Sequence, residues 1–251
     1  MRVVWRWLLP GIVAYVLFLA VNAPATWLAA QLQSRAPAVQ LAGVRGSLWS
    51  GEADRVNVQG VQLQTLHWRW RPLALFTGRL EFALDGRFQG EAVHSRAGIT
   101  LAGRPYLRST GGRLAVQDLV VWFSRAPVEL AGTLELDLER VDFPQPGLPV
   151  IEGRLVWPQA RIVAPLELDL GQVVLTLAPN DGRTRGPLVA QGGRLLVEGE
   201  LSFDASGMYE LEAGLRANGR LPDAVSTLLE SLAEYRDGRW YLELSGHIPI
   251  P

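Results

Sequence analysis

Hydrophobic and polar positions follow two different rules along this chain, and the change falls near residue 34. From Trp7 to Gln33 no charged residue occurs, and nearly all of Leu8 to Ala30 is apolar or small. A helix rises 1.5 Å per residue, so about 20 apolar residues cross a hydrocarbon layer of roughly 30 Å. Residues 8–30 are therefore expected to form a single N-terminal transmembrane helix. Arg2 and Arg6 precede the run, the first acidic residue is Glu52, and Trp5, Trp7 and Trp27 lie near its two ends. The basic start places residues 1–7 in the cytoplasm, and the indoles suit headgroup depth. A cleaved secretory signal is the competing reading, with Val21-Asn22-Ala23 supplying tolerable residues for a protease. Pro24 would then open the mature chain, and its fixed φ and missing N–H oppose cleavage there. Retention is the expectation, with residues 31–251 forming a periplasmic domain.

Beyond a connector at Ser34 to Gln40 the period becomes two. Val56, Val58, Val61 and Leu63 alternate with polar neighbours around Gly60, and Arg79 to Asp85, Thr133 to Glu139 and Leu166 to Leu170 repeat the pattern. Val173 to Leu177, Leu195 to Phe203, Tyr209 to Leu215 and Trp240 to Leu244 extend it. Strict alternation gives one apolar and one wet face, which predicts antiparallel sheet packed on one side. Asp85-Gly86, Asp181-Gly182, Ser206-Gly207 and Asp237-Gly238 supply hairpin-turn chemistry between the runs. The expected fold is all-β: about a dozen short strands in curved antiparallel sheets, a half-barrel or rolled meander. Pro144, Pro146 and Pro149 mark a linker near Asp142 to Gly153, which predicts two sheet segments in halves 38–143 and 150–251. One helix is expected at Pro222 to Tyr235, where Ala224, Val225, Leu228, Leu229 and Leu232 form a stripe behind an N-terminal proline. An outer-membrane barrel is disfavoured, since its strands run about 9–11 residues, whereas the alternating runs here are mostly five to seven.

Composition narrows the function classes. Hydrophobic residues make up 48% of the 251, enough for a core. Twenty-four basic residues, all Arg, balance 25 acidic ones, and only Arg69 to Arg71 concentrates positive charge, so nucleic acid is not an expected partner. The absence of cysteine removes disulfides and thiolate chemistry.

Candidate chemistry is sparse. His67, His94 and His247 have no metal-ligand spacing, and no His-Glu-x-x-His occurs. Glu135/Asp137 and Glu167/Asp169 stand at i,i+2, but polar-out alternation produces that spacing in many strands without any acid–base role. There is no Gly-x-Ser-x-Gly elbow, and without any lysine there is no phosphate loop of the Walker type. No catalytic residue, metal or cofactor is expected, and the chain is not expected to be an enzyme. Trp49, Trp68, Trp70, Trp122 and Trp157 suit core packing more than an aromatic ligand platform. A rolled sheet with one open apolar face would also suit lipid acyl chains, and this is the alternative functional reading.

Two patches are more specific than the alternation. Gly46-Ser47-Leu48-Trp49-Ser50-Gly51-Glu52-Ala53 is followed by Leu66-His67-Trp68-Arg69-Trp70-Arg71-Pro72-Leu73-Ala74-Leu75, in which Leu66, Trp68 and Trp70 share one face. Gly153-Arg154-Leu155-Val156-Trp157-Pro158 echoes the first patch in the second half, and Gly-rich hairpins around Gly192 to Leu211 follow. With the short basic start and single apolar segment, these features resemble the protein N family of the bacterial type II secretion system. The resemblance implies an accessory inner-membrane component of a machine that exports folded proteins from the periplasm. It implies no catalytic residues. Its expected partners are other inner-membrane and periplasm-spanning secretion components, with membrane lipid contacted through the anchor.

Overall fold

Period-two alternation is realised as an almost unbroken ladder of antiparallel pairs. The computed structural model describes residues 15, 18, 22–26, 30, 31, 33, 39–58, 61–117, 129–144, 147–164 and 166–248. The first strands are β1 Val39–Ala42, β2 Arg45–Gly46, β3 Ser50–Val58, β4 Val61–Trp70, β5 Arg79–Phe88 and β6 Glu91–Thr100. They continue as β7 Pro105–Ala115, β8 Glu129–Ala131, β9 Thr133–Asp142, β10 Val150–Ala164 and β11 Leu168–Asn180. The last are β12 Arg183–Gly192, β13 Leu195–Asp204, β14 Met208–Ala217, β15 Glu234–Arg236 and β16 Arg239–His247. They form one sheet in the order β1-β3-β4-β5-β6-β7-β9-β10-β11-β12-β13-β14-β16-β15, with β2 beside β3 and β8 beside β10. The sheet is open: its path ends at β1 and β15.

The expectation of two sheet segments is corrected. Val141 pairs with Ile151 and Asp142 with Val150, so the ladder runs straight through the supposed linker. Pro144 and Pro149 lie in the β9–β10 connection, where no ladder N–H is needed; Pro146 lies outside the described residues.

Strand length is also corrected, because β3 has 9 residues, β4 has 10 and β10 reaches 15. Irregular residues bend strands here instead of ending them. Thr65 (φ 54°) and Ser109 (φ 46°) adopt left-handed backbone where β4 and β7 shift register against β5 and β6. Pro158 sits in a further shift between Trp157 and Ala160. The bulge at Thr65 has a direct packing result. Leu63 and Leu66, three residues apart, would face opposite sides of a regular strand, yet both are half-buried with Trp68 and Trp70.

Apolar side chains line one face in cross-strand rows. One row runs Leu136, Leu155, Leu175, Leu188, Gly199, Ala213, Leu242 through six successive pairings. Helix α1, Asp223–Leu232, lies over one end of this face. Its Val225 and Leu229 pack with Leu168, Leu195, Leu215 and Leu221 into a buried cluster. The helix is shorter than Pro222 to Tyr235: Ala233 turns extended (φ −135°, ψ 148°), and Glu234 to Arg236 pair with β16.

Most of the expected helix 8–30 lies outside the described residues, as do residues 1–7, Trp5, Trp7, Trp27, Gly60 and Trp122. Among the described residues no helix is long and apolar enough to cross a membrane. Tyr15 and Phe18 are helical, and Asn22 N–H donates to the Phe18 carbonyl at 3.0 Å. At residues 22–24 the backbone is not helical. Ala23 accepts a bond from Leu48 N–H, and Pro24 bridges to Ser47. An uninterrupted helix over 8–30 is therefore corrected at 22–24, where the residue before a proline is pushed away from helical dihedrals.

Candidate functional site

The sequence-selected tryptophans fall into two places. β2 and β3 form a tight hairpin in which Gly46 pairs with Gly51 and Ser47 N–H donates to the Ser50 carbonyl. Trp68 on β4 lies across Gly51, where a Cβ would stand 2.5 Å from the indole, and its N–H donates to the Ser47 carbonyl at 3.2 Å. Trp49 in the hairpin turn packs on Trp70, with ring centroids 4.5 Å apart. Trp157 on β10 repeats the arrangement of Trp68. It lies over Gly132, where a Cβ would be 2.5 Å from its Nε1, and that N–H donates to the Ala131 carbonyl at 3.2 Å. Strands β5, β6, β7 and β9 separate the two places, so the four indoles do not converge on one site.

The other face holds a network that sequence reasoning missed. Glu81 on β5 falls on the polar side of the alternation, yet it is only 8% exposed. Arg71 Nη1 donates to Glu81 Oε1 at 2.8 Å, and the Tyr106 hydroxyl donates to Oε2 at 3.1 Å. Tyr106 stands on β7, two strands from Glu81, and reaches it by lying over Gly98, its partner on β6. A Cβ on Gly98 would meet the phenol oxygen at 2.5 Å. The guanidinium groups of Arg79 and Arg108 sit 5.8 and 5.4 Å from the Tyr106 ring centroid, within cation–π range. Burial, followed by the hydrogen bond to Glu81 and its negative charge, pushes the Tyr106 phenol pKa up; Arg79 and Arg108 partly oppose this. Beside the ring opens a cleft of about 660 Å³ lined by Arg79, Arg104, Arg108, Arg140 and Asp142. The only sequence trace of this network is Glu81 between Arg79 and Ala83, a spacing shared by many surface strands.

On the apolar face α1 covers a buried cluster at one end of the sheet, and Val56, Val141 and Leu177 are buried elsewhere along it. Phe82, Leu84, Leu107, Leu136, Leu155, Leu175 and Leu188 are half-buried, forming an apolar trough along the middle strands.

Residues 37–243, from just before β1 into β16, match the family described as type II secretion system (T2SS), protein N. The chain belongs to this family. It is 28% identical over 243 residues to a type II secretion system protein N of Aeromonas hydrophila, covering 94% of this chain and 96% of the relative. The Vibrio cholerae type II secretion system protein N is 27% identical over 203 residues, covering 78% and 79%. A Klebsiella pneumoniae protein of the same description is 28% identical, covering 86% and 84%. No solved structure matches the chain.

In this protein N family member the remaining sequence candidates are placed apart. His67 Nδ1 lies 3.6 Å from Glu52, His94 lies over Gly111, and His247 is exposed at the end of β16. Glu135 pairs with Arg113 across β7 and β9, Asp137 stands opposite Arg154, and Asp169 accepts from Gly171 N–H at a register shift within β11. Among the described residues no three His, Asp or Glu side chains gather where they could hold a metal ion.

Proposed function

We propose that this protein N family chain is an accessory, non-catalytic component of the type II secretion system. It is held to the inner membrane by its N-terminal apolar segment, with its sheet in the periplasm, and it supports export of folded proteins through contacts with other secretion components. The observation that carries this reading is the family match across the sheet, from residue 37 to residue 243. The open sheet supplies a means. Among the described residues β1 pairs only with β3, and its four residues offer an edge to which a partner strand can add. Reporter fusions after Ala126 are expected to be active only with a periplasmic reporter; cytoplasmic activity would end this topology.

A second reading has its own observation. The half-buried trough from Phe82 to Leu188 has the surface chemistry of an acyl-chain site, which favours lipid binding or transfer. Crosslinking in native membranes, with mass spectrometry of proteins and lipids, separates the two. Secretion components without stoichiometric lipid support the assembly role. Bound phospholipid with no secretion partner supports the trough as the working surface.

A further inference from the structure

Two neighbouring strand tips carry large apolar side chains straight into solvent. The 3-10 turn Pro72–Thr77 follows β4 and buries none of its residues. Leu73 is 76% exposed and Phe76 87%, and Leu101 in the β6–β7 turn is also 87% exposed. The two tips are tied together, since Leu101 N–H donates to the Gly78 carbonyl at 3.0 Å. Ile99 and Leu75 extend the patch. Contiguous exposure of this kind marks a surface that meets something apolar.

Two further observations say what it meets. The first is charge. Arg79 and Arg104 stand beside the patch with no carboxylate partner among the described residues, while Arg71 is held by Glu81, and Arg108 and Arg140 share Asp142. Large apolar tips beside guanidinium groups without a carboxylate partner complement an acidic lipid surface. The second is the path of the chain. Tyr15 and Phe18 are helical and 63% exposed, Asn22 continues from Phe18, and Ala23 and Pro24 seat on Leu48 and Ser47. That seat adjoins Trp49, whose carbonyl accepts from Trp70 N–H, one residue before Arg71 and the 3-10 turn. The exposed N-terminal segment thus reaches the sheet at the end that carries the patch.

We propose that residues 72–77 and 99–104 form a bilayer-contacting rim, which rests Phe76 and Leu101 in the anionic interface of the membrane entered by the N-terminal segment. This rests on the retained-anchor reading. It fixes the orientation of the sheet: the β4–β5 and β6–β7 tips face the membrane, and the Gln89–Gly90 turn at the other end of β5 points away.

The chain has no cysteine, so single spin labels can be placed on Phe76→Cys, Leu101→Cys and Gln89→Cys in the full-length protein. Each variant is reconstituted in phosphatidylcholine vesicles with and without phosphatidylglycerol, and label accessibility to a soluble nickel chelate and to oxygen is measured. With phosphatidylglycerol, nickel accessibility at 76 and 101 is expected to be about threefold below that at 89, as for groups seated roughly 5–10 Å into the interface. Without it the difference should shrink; an unchanged difference would overturn the role given to Arg79 and Arg104. If the protein floats with vesicles after an alkaline wash but labels 76 and 101 are as nickel-accessible as 89, the rim proposal fails and the anchor stands. If it does not float, anchor and rim fall together.

Discussion

Tyr106 spans two strand gaps to reach Glu81, and it can do so only because Gly98 leaves the space between them empty. Tyr106→Phe should leave Glu81 with Arg71 alone and cost about 1–3 kcal/mol, read by urea unfolding. Gly98→Ala should cost at least as much by displacing the ring, even though the substitution adds strand propensity. The phenol adds a pH signature. Its folded pKa lies above the unfolded value, so this contribution is complete below about pH 10 and fades as pH rises through the folded pKa. Unfolding curves from pH 8 upward should show a steeper alkaline loss in the wild type than in Tyr106→Phe. Trp68 makes a contrasting case. It is half-buried, with its N–H held by Ser47, so Trp68→Ala should cost near or below the lower end of the ~3–5 kcal/mol expected for a fully buried indole. An unchanged melting temperature would sink the structural role given to the Gly51–Trp68 contact.

At the scale of elements, helix α1 tests whether packing or propensity holds the sheet's covered end. Leu229 is buried in the cluster with Leu168 and Leu215, whereas Leu228 is 44% exposed. Leu229→Ala should cost about 2–4 kcal/mol and Leu228→Ala a small fraction of that, measured by chemical denaturation. The stripe Val225, Leu228, Leu229 made this helix legible in the sequence. Its end was not, because residues 234–236 are settled by pairing with β16, a partner that no local window contains. Strand positions were legible wherever alternation was strict, as in Thr133 to Glu139. Strand lengths were not, since bulges at Thr65, Ser109 and Pro158 shift the alternation inside a strand while neighbouring strands hold the rest of the ladder. Glu81 escaped for a related reason: its burial depends on Arg71 and Tyr106, and only the register between β5, β6 and β7 brings the latter across.

Across the whole molecule, strand order in space nearly repeats strand order in the chain; the exceptions are β2, β8 and the late placement of β15. Contacts in such an array are mostly between sequence neighbours, a pattern associated with rapid folding and near-additive stability. On the proposed topology this ordering has a temporal meaning. With the N-terminus held in the cytoplasm, the chain after the anchor crosses the membrane in sequence order and offers its strands one at a time, and here nearly every arrival finds its docking edge already laid down. Assembly can keep pace with delivery, and the growing front always presents a single unfinished edge. Nascent chains stalled with their last exported residue near Leu166 should already protect the β5–β6 and β9–β10 amides from hydrogen exchange. Protection that appears only after the whole chain is released would show instead that the array closes in one concerted step.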